Sequence, residues 1–570
     1  MIELNEHPTD RDEQDAQAGL LMTFAVIVVS VFLFLGKIAG FLKEVLIAKY
    51  WGVSGPVDAF KVVYNSVVFL VYSKIEKLLR PTYLPIFVKH RDEGEEAEAW
   101  RLASIIGTLA FIVLAVITGL SMWFAPAIIR VGWRDMSPAN QALAASLLRI
   151  SAAAMLLLVM SVMTELTLHA YKRFTAPAFA DAMMKLALLG AIAGLVGGGI
   201  YRAYEAAGLR AWDMYQGVTL LGKPVISAHE PVGLRAAAIG VLVGGALRFL
   251  LQLPALWRKL GRFIPSLRLR HPDVVKLFVL MPPVVLGLIF SAARTYFDSR
   301  FSTYAGEGVY SALDYARKIS DMPILVLPLA VSLVVYPYVS EWAARENRQR
   351  LGDSLVSMTR VMAFIFVPMA VGLILLSLPA VQFVYQRGEF AYQDALHVRR
   401  ALVPYAAGIP FFALEGSINK WYFALSDTAT PNYVGASMAV LHILIAYVGV
   451  YRLRGNVSVI ALALTASKGL KVITLYALLR GRVGAIDARA VRLFTAKLLV
   501  ATVAMAVAVL ATSTALAGML PDAGTMMRLV FLAACGGAGM VAYLVAAAVL
   551  GVEELRQFTS YVRTKLHRGE

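Results

Sequence analysis

The chain of 570 residues is 59% hydrophobic and only 16% charged, with 54 basic against 37 acidic residues and a net charge of +17. Soluble domains sit nearer ~45–50% apolar and ~25% charged, so this composition describes a polytopic membrane protein and excludes a large soluble catalytic domain. The single cysteine, Cys535, lies in an apolar run, which excludes a disulfide framework and a thiolate metal cluster.

Residues 1–18 are polar and acidic, the wrong sign for a signal peptide, so the first apolar run is expected to remain as a helix. At ~20 residues per span, apolar segments read at 20–48, 57–79, 101–127, 140–168, 176–200, 232–256 and 275–302. Seven more follow at 309–340, 356–384, 395–424, 432–451, 457–479, 490–517 and 526–550. Taken alternately, one set of connecting loops carries nineteen basic residues, among them Lys89, Lys172, Arg258, Arg348, Arg480 and Arg568, and the other set only eight. The positive-inside bias then places both termini in the cytoplasm, as an even number of spans requires. The basic excess is therefore mostly a topology signal, and nucleic acid is not expected as a partner.

The chain repeats itself. YWGVSGPVDAF recurs as YAGEGVYSALDY (306−52=254), Pro85 recurs as Pro337 (337−85=252), and AYKRFTAP recurs as ALSDTATP (424−170=254). An offset of six helices makes the halves parallel repeats about an axis along the membrane normal, a transporter architecture with its site where the halves meet. The predicted fold class is an all-α polytopic membrane protein with two six-helix repeat lobes around a central cavity plus two extra C-terminal helices. The expected boundaries are a cytoplasmic tail 1–18, lobes 19–270 and 271–489, extra helices 490–550 and a cytoplasmic tail 551–570. The polar stretch 201–231 has no counterpart in the second half and reads as a surface insertion.

Ionisable residues inside spans usually face a bundle interior or an aqueous cavity. The first span carries Lys37, Lys43 and Glu44, and the second carries Lys74, Glu76 and Lys77. The seventh carries Arg294, Asp298 and Arg300, and the eighth carries Asp314, Arg317, Lys318 and Asp321. These are repeat-equivalent helices, and the pattern points to a basic cavity for an anionic ligand, phosphate or diphosphate being the usual choice. Lys37, Lys43, Lys74, Lys77, Arg294 and Lys318 are the candidate ligand contacts; Glu44, Asp58, Glu76 and Asp321 are candidate gating or ion-pair partners. Asp298 stands one helical turn after Arg294, which would neutralise it in one state, and His442 on the eleventh span is its candidate partner for proton coupling. No HExxH, Walker A, GxSxG or paired-cysteine motif occurs, so no catalytic constellation and no metal site are expected.

The segments FLGKIAGFLKEVLIAKYWGVSGPVDAF, LLRPTYLPIF, YARKISDMP and ALSDTATPNY resemble, in order, the MurJ (MviN) lipid II flippases, of the superfamily that also holds polysaccharide flippases and multidrug and toxin extrusion transporters. The resemblance implies a flippase that moves an undecaprenyl-diphosphate-linked glycan from the inner to the outer leaflet of the bacterial cytoplasmic membrane, with the last two helices forming a groove for the lipid tail. It puts the family's first-span arginines on Lys37 and Lys43 and its acidic neighbour on Glu44. Its loop aspartate falls on Asp58, its second-span glutamate on Glu76, and its eighth-span arginine and acid on Lys318 and Asp321. Lysine replaces arginine at each of these, and the family's second-span arginine pair falls on Val71 and Tyr72. Where some members bind sodium, Asp298 matches the seventh-span acid but the eleventh span reads His442 and Ala446. The expected cargo is lipid II for peptidoglycan synthesis; an exopolysaccharide or O-antigen unit and, behind it, a cation-coupled drug-export role remain open. No cofactor is expected; proton or membrane-potential coupling is, with cell-envelope glycan synthesis enzymes as candidate partners.

Overall fold

The structure is a computed structural model that describes residues 8–194, 219–220, 223–224, 232–324, 327–485, 487–519, 524–556 and 560. Helices follow the apolar runs in order: α1 (Pro8–Trp51), α2 (Gly55–Lys61), α3 (Phe69–Asp92), α4 (Glu96–Trp123), α5 (Ala125–Gly132), α6 (Pro138–Ala170) and α7 (Thr175–Ile192). Next come α8 (Val232–Leu250), α9 (Leu253–Leu260), α10 (Pro272–Ala305), α11 (Val309–Asp321), α12 (Leu327–Ala344) and α13 (Arg348–Leu375). The last six are α14 (Ser377–Tyr385), α15 (Tyr392–Ala424), α16 (Ala429–Tyr447), α17 (Val457–Arg480), α18 (Ala488–Ala515) and α19 (Thr525–Val549). A π-helical stretch, Val62–Val68, joins α2 to α3. Most of the 201–231 insertion lies outside the described residues; within it, Thr219–Leu220 pairs antiparallel with Lys223–Pro224.

Ten helices among the described residues are long and apolar enough to cross a membrane, eleven with the bent α10 taken as one span. The other three expected spans are helical too: α1, α2 with α3, and α11 with α12. In the second and eighth a π-helical stretch (Val62–Val68) or a 3-10 turn (Met322–Ile324) divides the segment into shorter helices, and Lys74, Glu76 and Lys77 further lower the apolarity of α3.

The chain divides into two compact units, Met1–Tyr50 with Gly55–Ala292, and Trp51–Ser54 with Ala293–Glu570. The division falls inside α10, past the expected boundary at 270/271; α10 is itself bent by 49° at the consecutive prolines Pro282 and Pro283. The two extra helices belong to the second unit. Phe494, Leu498, Met505 and Val509 of α18 pack on Tyr543 and Ala547 of α19 and on Phe364 and Val367 of α13. The Tyr543 hydroxyl donates to the Phe364 carbonyl at 2.7 Å.

The repeat is written into the helix caps. After α6, Lys172 takes φ 57° and Arg173 N–H donates to Leu168 O at 2.9 Å; after α15, Ser426 takes φ 58° and Asp427 N–H donates to Tyr422 O at 2.9 Å (426−172=254). After α3, Gly94 takes φ 82° and Glu95 N–H donates to His90 O at 2.8 Å; after α12, Glu346 takes φ 53° and Asn347 N–H donates to Trp342 O at 2.9 Å (346−94=252). All four are Schellman motifs, in which a left-handed residue lets the chain fold back and satisfy the last carbonyls. Three of the four use a side-chain-bearing residue at a position glycine favours, so the turn itself, and not the residue, is what the two halves share.

Within the second unit, Gly52 also has positive φ (58°), and a Cβ there would stand 2.9 Å from both Glu389 O and Asp394 Oδ2. The Tyr315 hydroxyl donates to Gly52 O at 3.3 Å. Only glycine fits that approach.

Candidate functional site

In each unit the most enclosed membrane helices carry a carboxylate gripped by two cations. In the first, α6 is 67% buried over its apolar window. Its Glu165 takes Arg80 Nη2 on Oε1 at 2.9 Å and Arg248 Nη2 on Oε2 at 2.9 Å. Arg248 also donates to the Tyr72 hydroxyl and reaches Asp181 at 3.5 Å. In the second, α15 and α17 are each half buried. Glu415 of α15 takes Lys471 Nζ on Oε1 at 2.6 Å and Lys468 Nζ on Oε2. Both oxygens of both carboxylates are used, which is what a charge in a low-dielectric interior requires. In each half the acid comes from the fourth repeat helix and a cation from the sixth.

Glu415 and Lys468 line a cavity of about 250 Å³ together with Arg317, Asp321, Tyr405, Phe412, Ile324 and Leu464. Arg317 and Asp321, one turn apart on α11, stand 3.6 Å from each other at its wall. The lining mixes charged side chains with apolar ones.

The expected site residues separate into paired and unpaired groups. Lys43 and Glu44 are buried and bonded to each other at 2.7 Å, with Lys61 on the second Glu44 oxygen at 3.2 Å and Tyr64 under the Lys43 ammonium at 4.5 Å. Lys74 donates to the Ser291 hydroxyl at 2.7 Å, and Glu76 is bonded to Arg80 at 2.8 Å. Asp58 is 2% exposed near the start of α2, whereas Lys37 is exposed on α1. Lys77 and Lys318 have no acidic or hydrogen-bonding partner among the described residues, whereas Arg294 makes no hydrogen bond there but interacts electrostatically with Asp298 and Glu415. Two of the six expected ligand contacts thus present charge without an acidic partner among the described residues.

Asp298 lies against His442 of the eleventh expected span. Its Oδ1 lies 2.5 Å from His442 Nε2, joining α10 to α16, and no ion pair with Arg294 forms. His442 is 1% exposed and its Nδ1 has no hydrogen-bond partner.

Sequence reasoning missed Glu165, Glu415, Lys468 and Lys471. The signal was present, since each is an ionisable residue inside an apolar run, in VMTELTL, FALEGSI and TASKGLKVI. Attention to the first two helices of each half hid the fourth and sixth.

Outside the spans, the turn between α15 and α16 is fixed by Asp427. Its carboxylate accepts from the Thr430 hydroxyl at 2.6 Å and the Thr430 N–H at 2.9 Å, and from Arg482. Those bonds, the Thr430 hydroxyl first, hold its pKa down at about 2.

The family model described as "Lipid II flippase MurJ" matches residues 47–530. The chain is 23% identical over 430 residues to the lipid II flippase MurJ of Burkholderia cenocepacia, covering 74% of this chain and 77% of that protein. It is 24% identical over 418 residues to that of Thermosipho africanus, covering 73% and 78%. Among solved structures, a lipid II flippase MurJ in an inward closed conformation superposes with a TM-score of 0.72 at 21% identity, covering 92% of this chain and 98% of that one. An inward-facing multidrug resistance MATE family transporter of the MOP superfamily superposes with a TM-score of 0.61 at 13% identity, covering 80% and 98%. At these identities the structural likeness speaks for the fold.

Proposed function

Because the chain belongs to the lipid II flippase MurJ family, matched over residues 47–530, we propose that it moves lipid II, an undecaprenyl-diphosphate-linked glycan, from the inner to the outer leaflet by alternating access. The observation that carries the cargo's chemistry is the presence, on membrane helices of an apolar chain, of cations such as Lys77 and Lys318 that have no acidic partner among the described residues. An uncompensated charge in such surroundings is costly, and an anionic head group repays it. Lys318 in the second unit, and Lys37 and Lys77 in the first, are the groups offered to a diphosphate. The protein performs no covalent chemistry on its cargo; it binds, turns and releases it. Both termini face the cytoplasm, following the loop charges.

Coupling runs through Asp298 and His442. One proton shared between a carboxylate and an imidazole is the arrangement that responds to pH near neutrality. With an imidazole where a sodium site would place another oxygen donor, the pair suits a proton better than an alkali ion.

The test is reconstitution in proteoliposomes with lipid II in the lumen-facing or outward leaflet and a probe for its exposure. Protein-dependent movement of lipid II supports the reading. Movement of a polyprenyl-linked exopolysaccharide precursor, but not of lipid II, would assign the other glycan; movement of a cationic drug alone would overturn the flippase assignment.

A further inference from the structure

We propose that the turn closing α3 is a binding site for a divalent transition-metal ion of the Zn2+ class, held by His90 Nδ1 and the carboxylates of Glu93 and Glu95. One ligand atom from each of the three lies within 4.8 Å of the others. The Schellman turn at Gly94 fixes their spacing: Glu95 N–H returns to His90 O at 2.8 Å and Gly94 N–H to Arg91 O at 3.2 Å. The two positions such a turn brings side by side usually share an apolar contact. Here they hold His90 and Glu95, with Nδ1 and Oε2 2.8 Å apart.

The same turn in the second half carries Trp342 and Asn347 at those places (342−90=252, 347−95=252), so the backbone does not demand a histidine and an acid. A second feature points to a ligand. His90 Nε2 is held at 2.9 Å by Asp273 Oδ2, at the start of α10, and the imidazole is largely enclosed while Glu93 and Glu95 are open to water. A carboxylate on the far nitrogen is the arrangement that orients a metal-bound histidine and fixes its tautomer. The imidazole can carry both protons and donate to Asp273 and Glu95, or give Nε2–H to Asp273 and turn its Nδ1 lone pair on a cation shared with Glu95; the third group, Glu93, favours the cation. The helix C-terminus adds its own negative end. One imidazole with two carboxylates is a mixed nitrogen–oxygen set, suited to Zn2+ more than to Mg2+ or Ca2+. Lys89, 3.7 Å from Glu93 on the exposed side, is the cation the metal would displace. Bound there, the ion would brace the turn against α10 through Asp273.

The test is calorimetric titration of the purified full-length protein, without a histidine tag and in detergent, with ZnCl2. One saturable Zn2+ per chain is expected. His90→Ala and the double variant Glu93→Gln/Glu95→Gln should each weaken it at least tenfold, and Asp273→Asn about tenfold with the stoichiometry kept. His397→Ala is the control and should leave the titration unchanged. Absence of saturable uptake at micromolar metal, or uptake that His90→Ala and the double glutamine variant leave intact, overturns the site and makes His90 a proton-bearing bridge between two carboxylates. The surface double variant guards against a His90→Ala protein that fails to fold.

Discussion

Asp298 and His442, 144 residues apart, meet at 2.5 Å between α10 and α16, and the imidazole is almost wholly enclosed. The sequence offered Asp298 two partners, Arg294 one turn away and His442 on the eleventh span, and the hydrogen bond goes to the histidine. Arg294 remains in electrostatic reach of Asp298 without a hydrogen bond to it.

Asp298→Asn removes the charge but keeps the shape and can still accept the imidazole N–H. Normal abundance is expected, with lipid II movement that no longer responds to an imposed pH gradient. His442→Ala should behave alike. Transport that follows a sodium gradient and ignores pH in the unmodified protein would exclude the proton role.

Lys318→Ala should weaken binding of the diphosphate head group by about tenfold, the worth of one charge-assisted hydrogen bond of ~1.5–3 kcal/mol. Lys37→Ala is expected to act in the same direction, and Lys37→Arg to preserve function. Initial rates in proteoliposomes at limiting lipid II measure this, and unchanged rates in both alanine variants would remove these lysines from the cargo's path.

Glu415→Leu leaves Lys468 and Lys471 without their shared acid, and a loss of about 3 kcal/mol is expected. Replacing all three with leucine should recover most of it, since an enclosed ion cluster is replaceable by apolar packing. Thermal unfolding in detergent distinguishes the two variants, and equal stability of single and triple replacements would show the cluster to be energetically idle.

Asp427 supplies the pH dependence. Its pKa is about 2 in the folded chain, below the ordinary aspartate value of ~3.9. A lowered carboxylate pKa stabilises the fold above the unfolded value, and that stability is lost as pH falls through the folded one. Unfolding temperatures should therefore drop between pH ~4 and ~2, and less so in Asp427→Asn. A variant with the same slope would mean that the Thr430 and Arg482 bonds do not report on folding.

Lys172→Gly and Ser426→Gly should each stabilise the protein, by up to ~1 kcal/mol, because both residues hold a left-handed conformation that glycine adopts freely. A β-branched residue, as in Lys172→Val, should do the reverse. Parallel shifts at the two positions would be the energetic counterpart of their shared turn.

The sequence by itself determined the class, the order of the helices and the duplication. Apolar runs of about a span's length must become helices in a membrane, because every backbone N–H and C=O has to be satisfied within the segment. The repeat offset of 254 was visible because the turn between α6 and α7 and that between α15 and α16 keep an Ala…Thr-Ala/Ala-Thr-Pro pattern. What the tertiary structure decided was pairing. Linear spacing gave Lys43 to Glu44, which the fold keeps, and Arg294 to Asp298, which it does not. Glu165, Arg80 and Arg248 lie 85 and 83 residues apart in the chain, and Glu415 lies 53 from Lys468, so no local pattern connects them. A charge inside a membrane is assigned its partner by whichever helix packs against it, and helix packing follows the shape and size of side chains on faces that hydropathy alone does not distinguish.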